Sequence, residues 1–297
     1  MRDIYIHADD FGICDEQVNV LISLAERGCL HSLSAFAFDK ELKEHTEKLL
    51  VKAPDIRIAV HLNVVEGPSV LGHEALPLLT DERGFFCLGY GTLLRMSFGF
   101  KAKEITRETA LECAAQIEQV RKALPKGHLL AADTHQHTVA IPAVRKGMLS
   151  AIIQEGNIRE FRRPTEAFGP YCKIPGLLKH VPPINFVKLF LIRLLMAGSG
   201  KVFKEAGLSS PSFAGVLMTD GVKKEDVLRA LPQMEKKAQE EGRHMEVLFH
   251  PARIPSPELC PDRENLPFMR FNTSVRRDEE KEIVEAIGEH LNGQQSA

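Results

Sequence analysis

The sequence has no marked excess of charge of either sign, no paired cysteines and no long uninterrupted apolar run. Lys and Arg number 38 against 40 Asp and Glu, a formal net charge of −2. With no basic stripe and no acidic tail, the chain offers nucleic acid no electrostatic footprint. Cys14, Cys29, Cys87, Cys113, Cys172 and Cys260 are scattered, without a CxxC pair. That spacing excludes a disulfide framework and suits free thiols in a reducing compartment. The opening Met1 to Ile6 turns polar at once and lacks the apolar run of a signal peptide, so a cytoplasmic location is expected. The most apolar stretch, Ile184 to Gly198, falls short of the ~20 residues that span a bilayer, and Lys188 and Arg193 interrupt it. It reads as an amphipathic helix packed on the body of the protein. No membrane association is expected, with surface binding as the lesser alternative. Internal repeats and low-complexity segments are also absent.

What is present is an alternation. Apolar or β-branched runs predict strands at Ile4–Ala8, Ser32–Phe38, Ile56–Val64, Leu129–Thr134, Ile158–Arg162, Phe213–Met218 and Met245–Phe249. Helical patterns follow most of them: Asp15–Arg27, Lys40–Lys52, Thr106–Ala123, Val144–Glu155, the apolar segment, Lys223–Glu241 and Val275–Leu291. Such βα alternation favours a parallel sheet in one domain over residues 1–292, a TIM-like barrel or else an open doubly wound sheet. Residues 65–105 are rich in Gly and Pro and read as an irregular excursion, a lid or a dimer contact; residues 293–297 read as a frayed tail.

The chemistry-bearing residues fall at one end of these strands. Asp9 and Asp10 close the first, His61 the third, and Asp133, His135 and His137 the fourth. Arg162 and His250 close the fifth and last. In a parallel barrel all C-terminal strand ends face one mouth, where catalytic residues sit. Adjacent strand residues point to opposite faces, so Asp9 and Asp10 share a site only if the chain turns there, and Gly12 can supply the turn. The same pair would equally serve as a helix N-cap. In an extended segment His135 and His137 face one side and, with a nearby carboxylate, form a ligand set for a divalent cation. His61 alone reads as well as a core histidine. His250, at the end of a buried strand, suits a general acid or a structural contact. Arg162 can orient an acid or make a surface ion pair.

Together these stretches resemble the YdjC-like carbohydrate deacetylases. The resemblance is carried in order by "IHADDFGICDEQVNVLISLAERGCLHSLSAF", "IAVHLNVVEGPSV", "DTHQH", "FRRPTE", "EVLFHP" and "RRDEEKEI", over about residues 3 to 285. It implies a single-domain distorted (β/α) barrel of the polysaccharide-deacetylase type. It implies hydrolysis of an acetamido group on a mono- or oligosaccharide, releasing acetate, with one divalent metal ion, Mg2+ or Zn2+. Asp10, His61 and His135 would hold the metal, with His137 as a substitute ligand or a substrate contact. Asp9 would be the general base, His250 the general acid, and Arg162 would orient the site. The resemblance is compatible with a homodimer. Departures are His7 for the usual Asn, Val139 for a third histidine, and Ala252 for Gly after His-Pro. The alternatives are a metal-dependent hydrolase of another amide or ester, and a silent sugar-binding homologue.

Overall fold

The computed structural model describes residues 3–129 and 131–295. Among them seven parallel strands form one sheet: β1 (Ile4–Phe11), β2 (Ser32–Ala35), β3 (Arg57–Leu62), β4 (Ala131–Thr134), β5 (Glu160–Phe161), β6 (Ser212–Ala214) and β7 (Met245–Phe249). Their order is β5-β4-β3-β2-β1-β7-β6. A parallel bridge from Glu160 to Ser209 brings the two edges together, so the sheet curls into the expected distorted TIM-like barrel. The expected fourth strand began at Leu129; Leu130 lies outside the described residues.

The strands read well because a parallel sheet is covered on both faces, which demands near-continuous apolar runs. Met245–Phe249 is buried throughout. The helices are α1 (Asp15–Glu26), α2 (Leu42–Lys52), α3 (Tyr90–Met96), α4 (Ala102–Ala123), α5 (Pro142–Glu155), α6 (Gly169–Cys172), α7 (Pro183–Leu195), α8 (Ser199–Glu205), α9 (Lys224–Glu240), α10 (Leu266–Asn272) and α11 (Arg276–Gln295). Helix α11 continues through 293–295, where a frayed tail was expected; residues 296 and 297 lie outside the described residues. Helices α4 and α5 cross closely at Gly147, where a Cβ would sit 2.6 Å from the Thr106 carbonyl oxygen.

Residues 65–105 are more ordered than their composition suggests. The Glu112 carboxylate accepts from the backbone N–H groups of Val70 and Leu71 (2.9 and 3.1 Å), and Glu108 from those of Leu78 and Leu79 (both 3.0 Å). Two buried acids of α4 thus fasten a segment that lacks a ladder of its own. Helix α7 departs from expectation differently. It buries Asn185, Leu189 and Ile192, but Ile184, Val187, Phe190 and Leu194 face outward at 57–70% exposure.

Candidate functional site

Strand β1 does not run straight into the site. Its register with β2 shifts between Ala8 and Phe11, and Asp10 has a left-handed backbone, φ 69°. That bulge breaks the strict alternation of side chains, so both Asp9 and Asp10 reach the barrel mouth. The turn expected from Gly12 is therefore made first at Asp10 itself; Gly12 follows with φ 103°.

Asp10 meets two imidazoles. Its Oδ1 lies 3.2 Å from His61 Nε2 and 3.0 Å from His135 Nδ1, and the two nitrogens are 3.2 Å apart. All three residues are buried. Despite these distances, neither carboxylate oxygen of Asp10 has a hydrogen-bond partner. The far nitrogens are held: His61 Nδ1 lies 2.5 Å from Asp133 Oδ1, and His135 Nε2 lies 2.6 Å from Glu66 Oε2. A carboxylate behind each imidazole fixes the tautomer that turns a lone pair toward the shared centre. One carboxylate whose oxygens lack a hydrogen-bond partner, and two imidazoles whose inner nitrogens face it and each other, fit a divalent cation.

The two histidines after β4 do not share a face, contrary to the extended reading. Gln136 (φ 50°) and His137 (φ 56°) are left-handed within the 3₁₀ segment His135–Ala140. The turn separates the rings. His135 goes to Asp10, while His137 packs edge-on to Phe213, centroids 5.7 Å apart, and its Nδ1 is unpaired.

Beneath the cluster lies a buried charge network. Arg162 grips Asp9 with both guanidinium ends, Nη1 to Oδ2 at 3.0 Å and Nη2 to Oδ1 at 2.9 Å. The same Nη2 lies 2.9 Å from Asp133 Oδ2, and Nε donates to Glu246. His7 Nε2 adds contacts to Asp9 (3.1 Å) and Asp133 (3.4 Å), while Ser34 donates to Asp9 Oδ1 at 3.1 Å. His7, Asp9 and Asp133 also converge like a ligand set, but Arg162 already supplies the positive charge there.

The electrostatics follow from this packing. Burial opposes charge on His61, yet Asp9 and Asp133 outweigh it and lift the imidazole to about 9. At His135 burial is likewise overcome, by Asp10 and Glu66, giving about 10. Burial would raise Asp9, but Arg162 holds it well below the usual carboxylate range. His137, with no such partner, is pushed down to about 3 by burial and is neutral.

Above the cluster opens a cavity of about 460 Å³. Asp9, Asp10, His135, His137 and His250 line it, with Tyr90, Phe268 and Phe271 as aromatic walls. His250 stands edge-on to Phe271, and its backbone N–H donates to Glu280 Oε2 at 2.6 Å. Burial would raise Glu280, but Arg277 and His250 keep it down at about 2. The structure thus collects Asp9, Asp10, His61, His135 and Arg162 at one centre and sets His137 and His250 on the cavity wall. Asp133, Glu66 and His7 were not singled out as site residues from the sequence. Asp133 had a signal: it stands two residues before His135 and pairs in register with His61.

The profile of the family described as YdjC-like protein matches residues 3–285. Three similar proteins are each named carbohydrate deacetylase. One, from Enterococcus faecalis, is 31% identical over 29% of this chain and 33% of its own length. Another, from Thermoanaerobacter pseudethanolicus, is 24% identical over 86% of this chain and 82% of its own. The third, from Vibrio campbellii, is 26% identical over 47% of this chain and 51% of its own. The chain thus spans a third and about half of the first and third relatives. A solved structure from Enterococcus faecalis, described as a candidate cellobiose-phosphate cleavage protein, superposes with a TM-score of 0.60 at 21% identity, covering 96% of this chain and 94% of that one. That likeness establishes the fold.

Proposed function

The chain belongs to the YdjC-like family, and from that premise we propose that it is a divalent-metal-dependent hydrolase that removes an N-acetyl group from a sugar. The observation that carries this reading is the orphaned carboxylate of Asp10 facing two imidazoles whose outer nitrogens are each held by an acid.

In this mechanism Asp10, His61 and His135 hold the cation, Mg2+ or Zn2+. When bound, such an ion supplies Lewis acidity, lowering the pKa of water and favouring negative charge on an acyl oxygen. Asp9, kept ionised by Arg162, accepts the proton of the attacking water. The same ion pair makes Asp9 a weak base, so Asp9 alone does not suffice. His250, on the cavity wall, gives a proton to the departing sugar nitrogen. The aromatic side chains of Tyr90, Phe268 and Phe271 give the sugar ring apolar faces to stack on and narrow the access of bulk water. The products are acetate and an amino sugar.

The test is acetate release from a panel of N-acetylated mono- and oligosaccharides, with aryl acetates as controls, before and after chelation. Turnover of the sugars that stops with chelator supports the reading. Wild-type turnover by metal-free Asp10→Ala, or turnover of aryl esters alone, overturns it.

A further inference from the structure

Helix α7 was expected to pack its apolar residues against the body of the protein, but it presents many of them to solvent. Ile184 (57%), Val187 (61%), Phe190 (70%) and Leu194 (61%) are exposed, at the three- and four-residue spacing that lines one side of a helix. Lys188, Leu191 and Ile192 of the same helix line the cavity above Asp10. The exposed stripe is therefore continuous with the mouth of the site. Past α3, whose Tyr90 lines the same cavity, Phe98 and Phe100 are also exposed, at 72% and 93%.

The charge around this stripe is one-sided. Residues 167–204 contain Lys173, Lys179, Lys188, Arg193, Lys201 and Lys204 and no Asp or Glu, in a chain whose net charge is −2. All six are exposed. Glu205, 3.8 Å from Lys201, ends the run. An apolar stripe on a segment with six exposed cations and no acid of its own matches an anionic lipid surface, where apolar side chains enter the acyl boundary and cations meet headgroups. Among the described residues no helix is long and apolar enough to cross a membrane, so α7 would lie in the interface.

We propose that the exposed face of α7, with the cations of α8, docks on an anionic lipid bilayer, and that the acetylated sugar entering the cavity is the headgroup of a lipid. The second half rests on the deacetylase reading; the first does not. Docking sets the cavity mouth against the headgroup layer. Apolar Leu191 and Ile192 then line the route along which a lipid-borne sugar reaches Asp10.

The experiment is flotation of the full chain with vesicles of phosphatidylcholine alone or mixed with phosphatidylglycerol, at low and high salt. The chain is expected to float with the mixed vesicles only, and less at high salt. The variant Phe190→Ser/Leu194→Ser changes exposed residues outside the cavity lining. It should float about tenfold less and release acetate about tenfold more slowly from an N-acetylated glycolipid in anionic vesicles, while hydrolysing a soluble N-acetylated sugar as the wild type does. No acetate release from the glycolipid by the wild type overturns the headgroup half. No flotation with anionic vesicles overturns the proposal, as does equal flotation of the variant. A wild-type dimer that this variant dissolves, with vesicles unbound, assigns the face to a second copy and also overturns it. Flotation without acetate release from any sugar would sink the deacetylase reading and leave the docking face standing.

Discussion

Loading the metal-free chain with a divalent cation should expel about two protons near neutral pH. The perturbation is the competition between the cation and two protons for His61 Nε2 and His135 Nδ1, the nitrogens that face Asp10. Their imidazoles are lifted to about 9 and about 10 by the carboxylates around them. At a pH of roughly 7.5 both groups are largely protonated, so close to two protons must leave. The charge ledger agrees: two protons depart as one dication arrives, and the carboxylates of Asp9, Asp10, Glu66 and Asp133 keep their balance. Because both pKa values are raised, protonation weakens binding below them. Apparent affinity should climb with pH by up to about 100-fold per unit between roughly pH 6 and 8, then level off above the folded-state values. Calorimetric titration in two buffers of different ionisation enthalpy reads the proton count directly. A count near zero, or an affinity flat over that range, would refute the claim that buried acids hold these imidazoles charged.

Three further outcomes follow from the same geometry. Asp133→Asn removes the charge behind His61 Nδ1, so chelator competition should report about 10–100-fold weaker metal binding. His250→Ala should leave metal content unchanged and lower kcat by about 10²–10⁴ on the best sugar, measured as acetate release. Glu166 is pushed up to about 7 by burial, against bonds from Tyr171 and the backbone of Leu217 and Gly215. The native state then holds a proton that the unfolded chain has released above its ordinary value of 4.5, so stability falls as pH rises from about 4.5 to 7 and is level above that. Urea midpoints across this range should show a slope that is missing from Glu166→Ala.

The fold was legible because its strands had to be. All seven lie within or beside apolar runs, since both faces of a parallel sheet are buried; the inward His7, Ser34, Asp133 and Glu246 interrupt those runs without leaving any strand a solvent face. Asp10, His61 and His135 were legible for a related reason, standing where those runs end. The excursion at 65–105 was not, because Glu108 and Glu112 hold it through bonds to distant backbone N–H groups. No local pattern encodes those partners. His7 was noticed as a departure from the family pattern but not as part of the network; it reaches Asp9 and Asp133 only after β4 comes within range. Separating His135 from His137 required the left-handed backbone at Gln136 and His137; histidine tolerates that region better than most residues, but glutamine gives no sign of it. The outward stripe of α7 has the composition of a core helix, so only the packing distinguishes the two.

Asp10 has two duties that one substitution can separate. As a side chain it offers the unsatisfied oxygens; as a backbone residue it takes the left-handed turn that ends the alternation of β1. A straight strand would turn either Asp9 or Asp10 away from the site, so the bulge is a condition of having both acids there. An ordinary L-residue adopts this conformation at a cost of about 1–2 kcal/mol, which glycine escapes. Asp10→Gly and Asp10→Ala should therefore lose metal binding alike, yet metal-free Asp10→Gly should be the more stable by about 1 kcal/mol, because its greater freedom in the unfolded chain offsets part of the gain. Chemical denaturation of the two metal-free variants makes the comparison. If Asp10→Ala proved as stable as Asp10→Gly, the left-handed turn would not be the constraint that brings both carboxylates to the mouth of the barrel.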